Sequence, residues 1–168
     1  MDPLLAPAGD IGALRQRYRD DKTALFALLR DQGASTRGVR QALQQLSRLT
    51  DQTLRELWGR AGFAGGFSLI AVGGYGRGEL SPGSDLDILI LHKHKSDSDL
   101  LEVTNALLYP LWDQGFKVDH SVRTLTQNRE TAEIDLRVIM GLLDIRLVAG
   151  DADLAAFGQG LQDGKDLQ

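Results

Sequence analysis

Residues Ile70–Leu91 read IAVGGYGRGELSPGSDLDILIL, and this stretch decides the fold. A short, nearly continuous apolar run, Phe67 to Val72, breaks at the glycine pair Gly73-Gly74. Such a run suits a strand covered on both faces. About ten residues later, past a segment rich in Gly, Pro and Ser, a second apolar run from Leu86 to Leu91 begins behind Asp85 and Asp87. Two strands joined by a glycine turn are therefore expected, with a short helical turn possible near Tyr75–Leu80.

The turn and the carboxylates each carry a chemical implication. Without a β-carbon, Gly73 and Gly74 let backbone N–H groups approach a phosphate closely, although glycines also make ordinary tight turns. Residues i and i+2 of a strand share a face, so Asp85 and Asp87 stand side by side. Adjacent carboxylates repel unless a cation sits between them, and hard oxygen donors suit Mg2+, here two ions. In two-metal phosphoryl transfer one ion activates the attacking oxygen and the other steadies the leaving pyrophosphate. The bland alternative is an acidic pair on an exposed strand rim; the apolar run behind it argues against that.

Upstream, helical spacing of Leu14, Tyr18, Leu25 and Leu28-Leu29 predicts a helix over 11–32, stopped by Gly33. Ser35 or Thr36 caps a second helix reaching about Arg60, with Leu43, Leu46, Leu54 and Leu57 in its stripe. Residues 11–62 thus form a helical hairpin behind a loose leader, 1–10. Downstream, Asp97 or Ser98 caps a third helix ending at Gly115, with Pro110 predicting a kink or break. A third strand spans Lys117 to Thr124, with Val118, His120 and Val122 on one face and Asp119, Ser121 and Arg123 on the other. Residues 126–149 read as largely helical, in one piece or two, with Ile134, Val138-Ile139, Leu142-Leu143 and Ile145 as the stripe and Gly150 as its close. The core is expected to span 63–157, and the polar tail, 158–168, to fray.

The chain has 168 residues, enough for one domain with a helical appendage, and a net charge of −4. That acidic total disfavours long nucleic acid as a partner, since non-specific binders need a basic surface. There are no cysteines, which excludes disulfides and thiolate metal sites. No apolar run reaches the roughly 20 residues that span a bilayer, and no signal peptide is visible. The cytoplasm is the expected compartment.

The pattern of GG, about ten residues, then SDLD resembles the signature of the DNA polymerase beta type nucleotidyltransferases. The longer combination of GGYGRGEL, SDLDILIL, LLYPLWDQGFKVDHSVRT and LRVIMGLLDIRLVAGD is similar to the N-terminal catalytic domain of the bacterial PII uridylyltransferase/uridylyl-removing enzymes, over roughly residues 35–155. The resemblance implies an α/β (α+β) fold, a short mixed sheet with flanking helices and an N-terminal helical hairpin. It also implies transfer of UMP from UTP to a tyrosine of the small signal protein PII, with release of pyrophosphate.

On that reading Gly73 and Gly74 hold the triphosphate, Asp85 and Asp87 bind Mg2+, and Ser84 donates to a phosphate oxygen. A third carboxylate comes from the next strand: Asp119, with Asp135 in reserve, would take the acceptor's proton. Arg77 and Arg123 would offset the phosphate charge, although Arg77 could pair with Glu79 instead. His120 reads as a core histidine, His92 and His94 as part of a solvated strand end, and Tyr75, Trp58 and Trp112 as packing residues. The full-length enzymes add a hydrolase domain and glutamine-sensing domains, so both of those activities are expected to be absent here. No residue reads the base, which leaves open a stand-alone transferase using another nucleotide or acceptor, or a binding remnant without turnover.

Overall fold

The structure, a computed structural model, describes residues 8–33, 35–63, 65–93, 100–135 and 143–153. The chain order is α1 (Ala8–Gln32), α2 (Thr36–Ala61), β1 (Phe67–Ala71), α3 (Gly73–Gly76), β2 (Leu86–His92), α4 (Leu100–Asp113), β3 (Val118–Thr124), α5 (Leu125–Ile134) and β4 (Arg146–Gly150). The expected caps Asp97 and Ser98, the stripe residues Val138, Ile139 and Leu142, and the 158–168 tail lie outside the described residues.

The helical hairpin forms as its sequence dictates. Ser35 is the N-cap of α2 and its Oγ accepts from the Gly38 N–H at 3.1 Å. Gly62 closes the helix in the left-handed region, at φ 82°. α1 starts at Ala8, inside the expected leader. Leu14, Tyr18 and Leu25 of α1 and Leu46, Leu54 and Leu57 of α2 belong to the same buried cluster as the sheet. Burying each leucine contributes about 1.5–3 kcal/mol.

The sheet order is β3-β2-β1-β4. β1 runs antiparallel to both β2 and β4, while β2 and β3 are parallel and joined by the α4 crossover. Period-two alternation divides the central strands between two cores. Leu86, Ile88 and Ile90 pack with α2 and α4, whereas Leu89 and Leu91 join Ile70 beneath Leu125, Ile145 and Leu147. β2 is buried along its whole length except at Asp87, which shares the second face with Leu89 and Leu91.

The structure corrects several expectations. The 126–149 stretch does not stay helical to its end: α5 stops at Ile134, and Arg146–Gly150 is strand β4 on the free edge of β1. Ile145 and Leu147 face one core and Val148 the other, the mark of a strand. α4 continues through Pro110 without a break; the missing N–H falls in the last turn, and the Pro110 carbonyl still accepts from Gln114. His92 is buried against Phe67 rather than solvated. His120 is exposed rather than a core histidine, because β3 is an edge strand, and it meets Trp112 edge-on. Trp112 is itself 42% exposed, while Trp58 stacks on Phe63 and Tyr75 is buried, as packing residues.

Candidate active site

The turn after β1 is held tightly. The Val72 N–H donates to the Asp87 carbonyl at 3.1 Å, continuing the β1–β2 ladder by one step. Gly73 then takes φ 60°, where a β-carbon would stand 3.1 Å from Asp87 Oδ2. Glycine is required there for its conformation and for the close approach of backbone to carboxylate. The N–H groups of Gly76, Arg77, Gly78 and Glu79 bond back into the turn. Those of Gly73 and Gly74 find no acceptor among the described residues, as befits the first positions of a helical turn.

One carboxylate, Asp87, lies against this turn, and two more stand near Asp87. Asp87 is half-buried on β2, Asp85 is exposed just before the strand, and Asp119 is exposed on β3. Asp87 and Asp119 are register partners of the parallel pair, so their backbones lie about 4.8 Å apart. Burial raises the Asp87 carboxyl above the ordinary value, and the charges of Asp119 and then Asp85 raise it further. Both neighbouring carboxylates therefore act on Asp87. Among the described residues no three such side chains converge into a metal-ligand cluster. Carboxylate oxygens are nonetheless the donors a hard divalent cation takes, and among the described residues no cationic side chain is bonded to Asp85, Asp87 or Asp119.

The remaining expected residues are placed as follows. Arg77 lies beside the turn, its Nη2 3.5 Å from where a Gly74 β-carbon would be. Its guanidinium bonds Asp144 at 2.8 Å, with Glu79 farther off at 4.0 Å. Ser84 is exposed and its hydroxyl donates to the Ser81 carbonyl at 2.7 Å. Arg123 is four residues beyond Asp119, about 13 Å along the strand. It donates to Asn128 Oδ1 and Ser121 Oγ, both at 3.3 Å, and is not brought to the carboxylates. Asp135 sits at the C-terminal cap of α5 and is not among the charges acting on Asp87.

Sequence reasoning passed over Asp51, Asp144, Arg146 and Asn128. Asp51 carried a usable signal, a charge one position from Thr50 on the apolar face of α2. Asn128 is fully buried beside Arg123, which no spacing indicates.

A four-stranded mixed sheet flanked by helices, with a glycine turn set against strand carboxylates, defines a nucleotidyltransferase domain. The comparison with known families agrees: the model described as Nucleotidyltransferase domain matches residues 50–141, and the chain belongs to that family. Among curated proteins it is similar to the bifunctional uridylyltransferase/uridylyl-removing enzyme of Streptomyces coelicolor, 54% identical over 112 residues, which is 66% of this chain and 13% of the relative. The proteins of the same name from Chromobacterium violaceum and Burkholderia orbicola are 40% and 35% identical over 82% and 92% of this chain, but 16% and 18% of their own lengths. The chain thus spans less than a fifth of these relatives. Among the described residues no helix is long and apolar enough to cross a membrane.

Proposed function

We propose that this domain transfers UMP from UTP to a tyrosine hydroxyl of PII, releasing pyrophosphate, in the cytoplasm. The observation that carries the reading is the pairing of two N–H donors with no acceptor among the described residues, Gly73 and Gly74, with Asp87 on the neighbouring strand and the two carboxylates, Asp119 and Asp85, that act on it. The similarity to uridylyltransferases supports the choice of nucleotide and, through the resemblance, of acceptor.

The residues divide the work. The Gly73 and Gly74 N–H groups donate to the triphosphate, whose charge the nearby Arg77 guanidinium offsets. Ser84 lies on the same connection and would exchange its Ser81 bond for a phosphate oxygen. Asp85, Asp87 and Asp119 would hold Mg2+, which supplies charge neutralisation of the triphosphate when bound. Asp119, exposed on the edge strand, accepts the proton of the acceptor hydroxyl. The hydroxyl oxygen then bonds to the α-phosphorus as the bond to the bridging oxygen breaks and pyrophosphate leaves with that electron pair.

Asp87→Asn tests the assignment. The substitution removes a charge that the fold does not need, so transfer should be lost while the melting profile is kept. Undiminished transfer by that variant would contradict the reading.

A further inference from the structure

A buried polar cluster lies behind the glycine turn, on the side away from the carboxylates. Tyr75, the third residue of the GGYG turn, is 1% exposed, and its hydroxyl donates to Asp51 Oδ1 at 2.5 Å. Asp51 is 6% exposed on α2, and its Oδ2 accepts from the Arg146 guanidinium of β4. The same guanidinium donates to the Tyr75 carbonyl at 2.9 Å and lies over the Tyr75 ring, 5.1 Å from its centroid. Arg55, one helical turn along α2, adds an ion pair to Asp51 at 3.9 Å. On the flank of the turn, Gly76 abuts the Asp144 carbonyl and Arg77 bonds the Asp144 carboxylate.

A buried carboxylate costs free energy that apolar filling would not, so stability alone is a poor reason for one here. Both Asp51 oxygens are committed to the turn or to the arginine that grips it. The turn needs such a grip, since Gly73, Gly74, Gly76 and Gly78 give the backbone wide freedom on their own. Donors that are already aimed bind a ligand without the entropy cost of aiming them.

We propose that Asp51 is a positioning residue for the glycine turn: through Tyr75 and Arg146 it fixes the direction of the free Gly73 and Gly74 N–H groups. It thereby sets affinity for the nucleoside triphosphate rather than the rate of the chemical step. The proposal rests on reading those N–H groups as triphosphate donors.

The test compares the full chain with Asp51→Ala, Asp51→Asn and Tyr75→Phe, with UTP and Mg2+. Asp51→Ala should raise the nucleotide KM about tenfold or more while kcat changes less than about threefold, the pattern of lost uniform binding. Asp51→Asn keeps an acceptor for Tyr75 and should fall between it and wild type. Adding Tyr75→Phe to Asp51→Ala should cost little more, because both break one link. A loss confined to kcat, or a lowered melting temperature with both kinetic constants unchanged, overturns the proposal. Where Asp51→Ala does not fold, Asp51→Asn and Tyr75→Phe decide.

Amide hydrogen exchange provides a readout independent of turnover. The Gly76, Arg77, Gly78 and Glu79 amides, bonded within the turn at 3.0 Å, should exchange about tenfold faster in the variants, with β1 and β2 unaffected. Unchanged exchange overturns the proposal. Wild-type protein that binds no nucleotide sinks the transfer reading instead, and exchange alone then decides whether Asp51 holds the turn.

Discussion

Replacing Gly76 with alanine should be among the most damaging single-methyl additions in this protein. An added β-carbon would stand 1.6 Å from the Asp144 carbonyl oxygen, 2.8 Å from its carbon and 3.0 Å from the Ala71 carbonyl oxygen. Ordinary contact begins at 3.4 Å, so the Asp144 backbone would have to withdraw by about 1.8 Å. The obstruction is backbone on both sides, from β1 and from the approach to β4, so no side-chain rotation relieves it. Overpacking typically costs about 1–3 kcal/mol, and a clash with two backbones belongs at or above the upper end. For a chain of this length about 3 kcal/mol lowers the melting temperature by about 6–12 °C. Gly59→Ala is the matched control. It adds the same methyl inside α2, where nothing lies within 4 Å, and should stabilise by about 0.5–1 kcal/mol. Thermal melts followed by circular dichroism read both. A Gly76→Ala protein melting within about 2 °C of wild type would mean that the β4 segment does not pack on the glycine turn.

Other expectations concern charge and capping. Asp87 has a folded carboxyl above its ordinary value of 3.8, so between the two values the folded state binds more protons and stability falls as pH rises. Asp87→Asn should therefore match or exceed wild-type stability at pH 7 in the absence of divalent cation, an advantage that disappears below pH 3.8; urea melts at both pH values check the sign. Because a proton competes with a cation for Asp87, Mg2+ should stabilise wild type more at pH 8 than at pH 5 and Asp87→Asn little at either, as measured by calorimetry. Ser35→Ala removes the acceptor for the Gly38 N–H and should cost about 1 kcal/mol, or about 2–4 °C in a thermal melt.

The central strands, the glycine turn and the capped hairpin were legible in the sequence because each is written locally: an apolar run, a glycine pair, Ser35 three residues before the amide it caps. Asp119 was reached through the family resemblance, which supplies a third carboxylate from the next strand; strand period sets only the face it shares with Ser121 and Arg123, and its register with Asp87 is seen only once the strands pair. β4 was not legible. Ile145 to Ala149 is short and apolar, a pattern that serves a helix end and a strand equally, and only its pairing with β1, more than seventy residues away, decides. His120 was misjudged because alternation shows which face a residue takes, not whether its strand lies at an edge. Arg123 was expected near the phosphates from its motif, yet strand rise carries it well past Asp119. The Asp51–Tyr75–Arg146 cluster joins α2, the turn and β4, and long-range polar contacts of that kind leave no periodic trace.

Incubating the protein with Mg2+, each of UTP, ATP, CTP and GTP in labelled form, and purified PII shows at once which nucleotide it uses and what accepts it. The products are read by intact mass and by pyrophosphate release. One UMP should be added to a PII tyrosine with equimolar pyrophosphate, from UTP and not the others, and none with Asp87→Asn. Pyrophosphate release without a PII adduct, an adduct from another nucleotide, or equal yield from Asp87→Asn would contradict the proposed transfer.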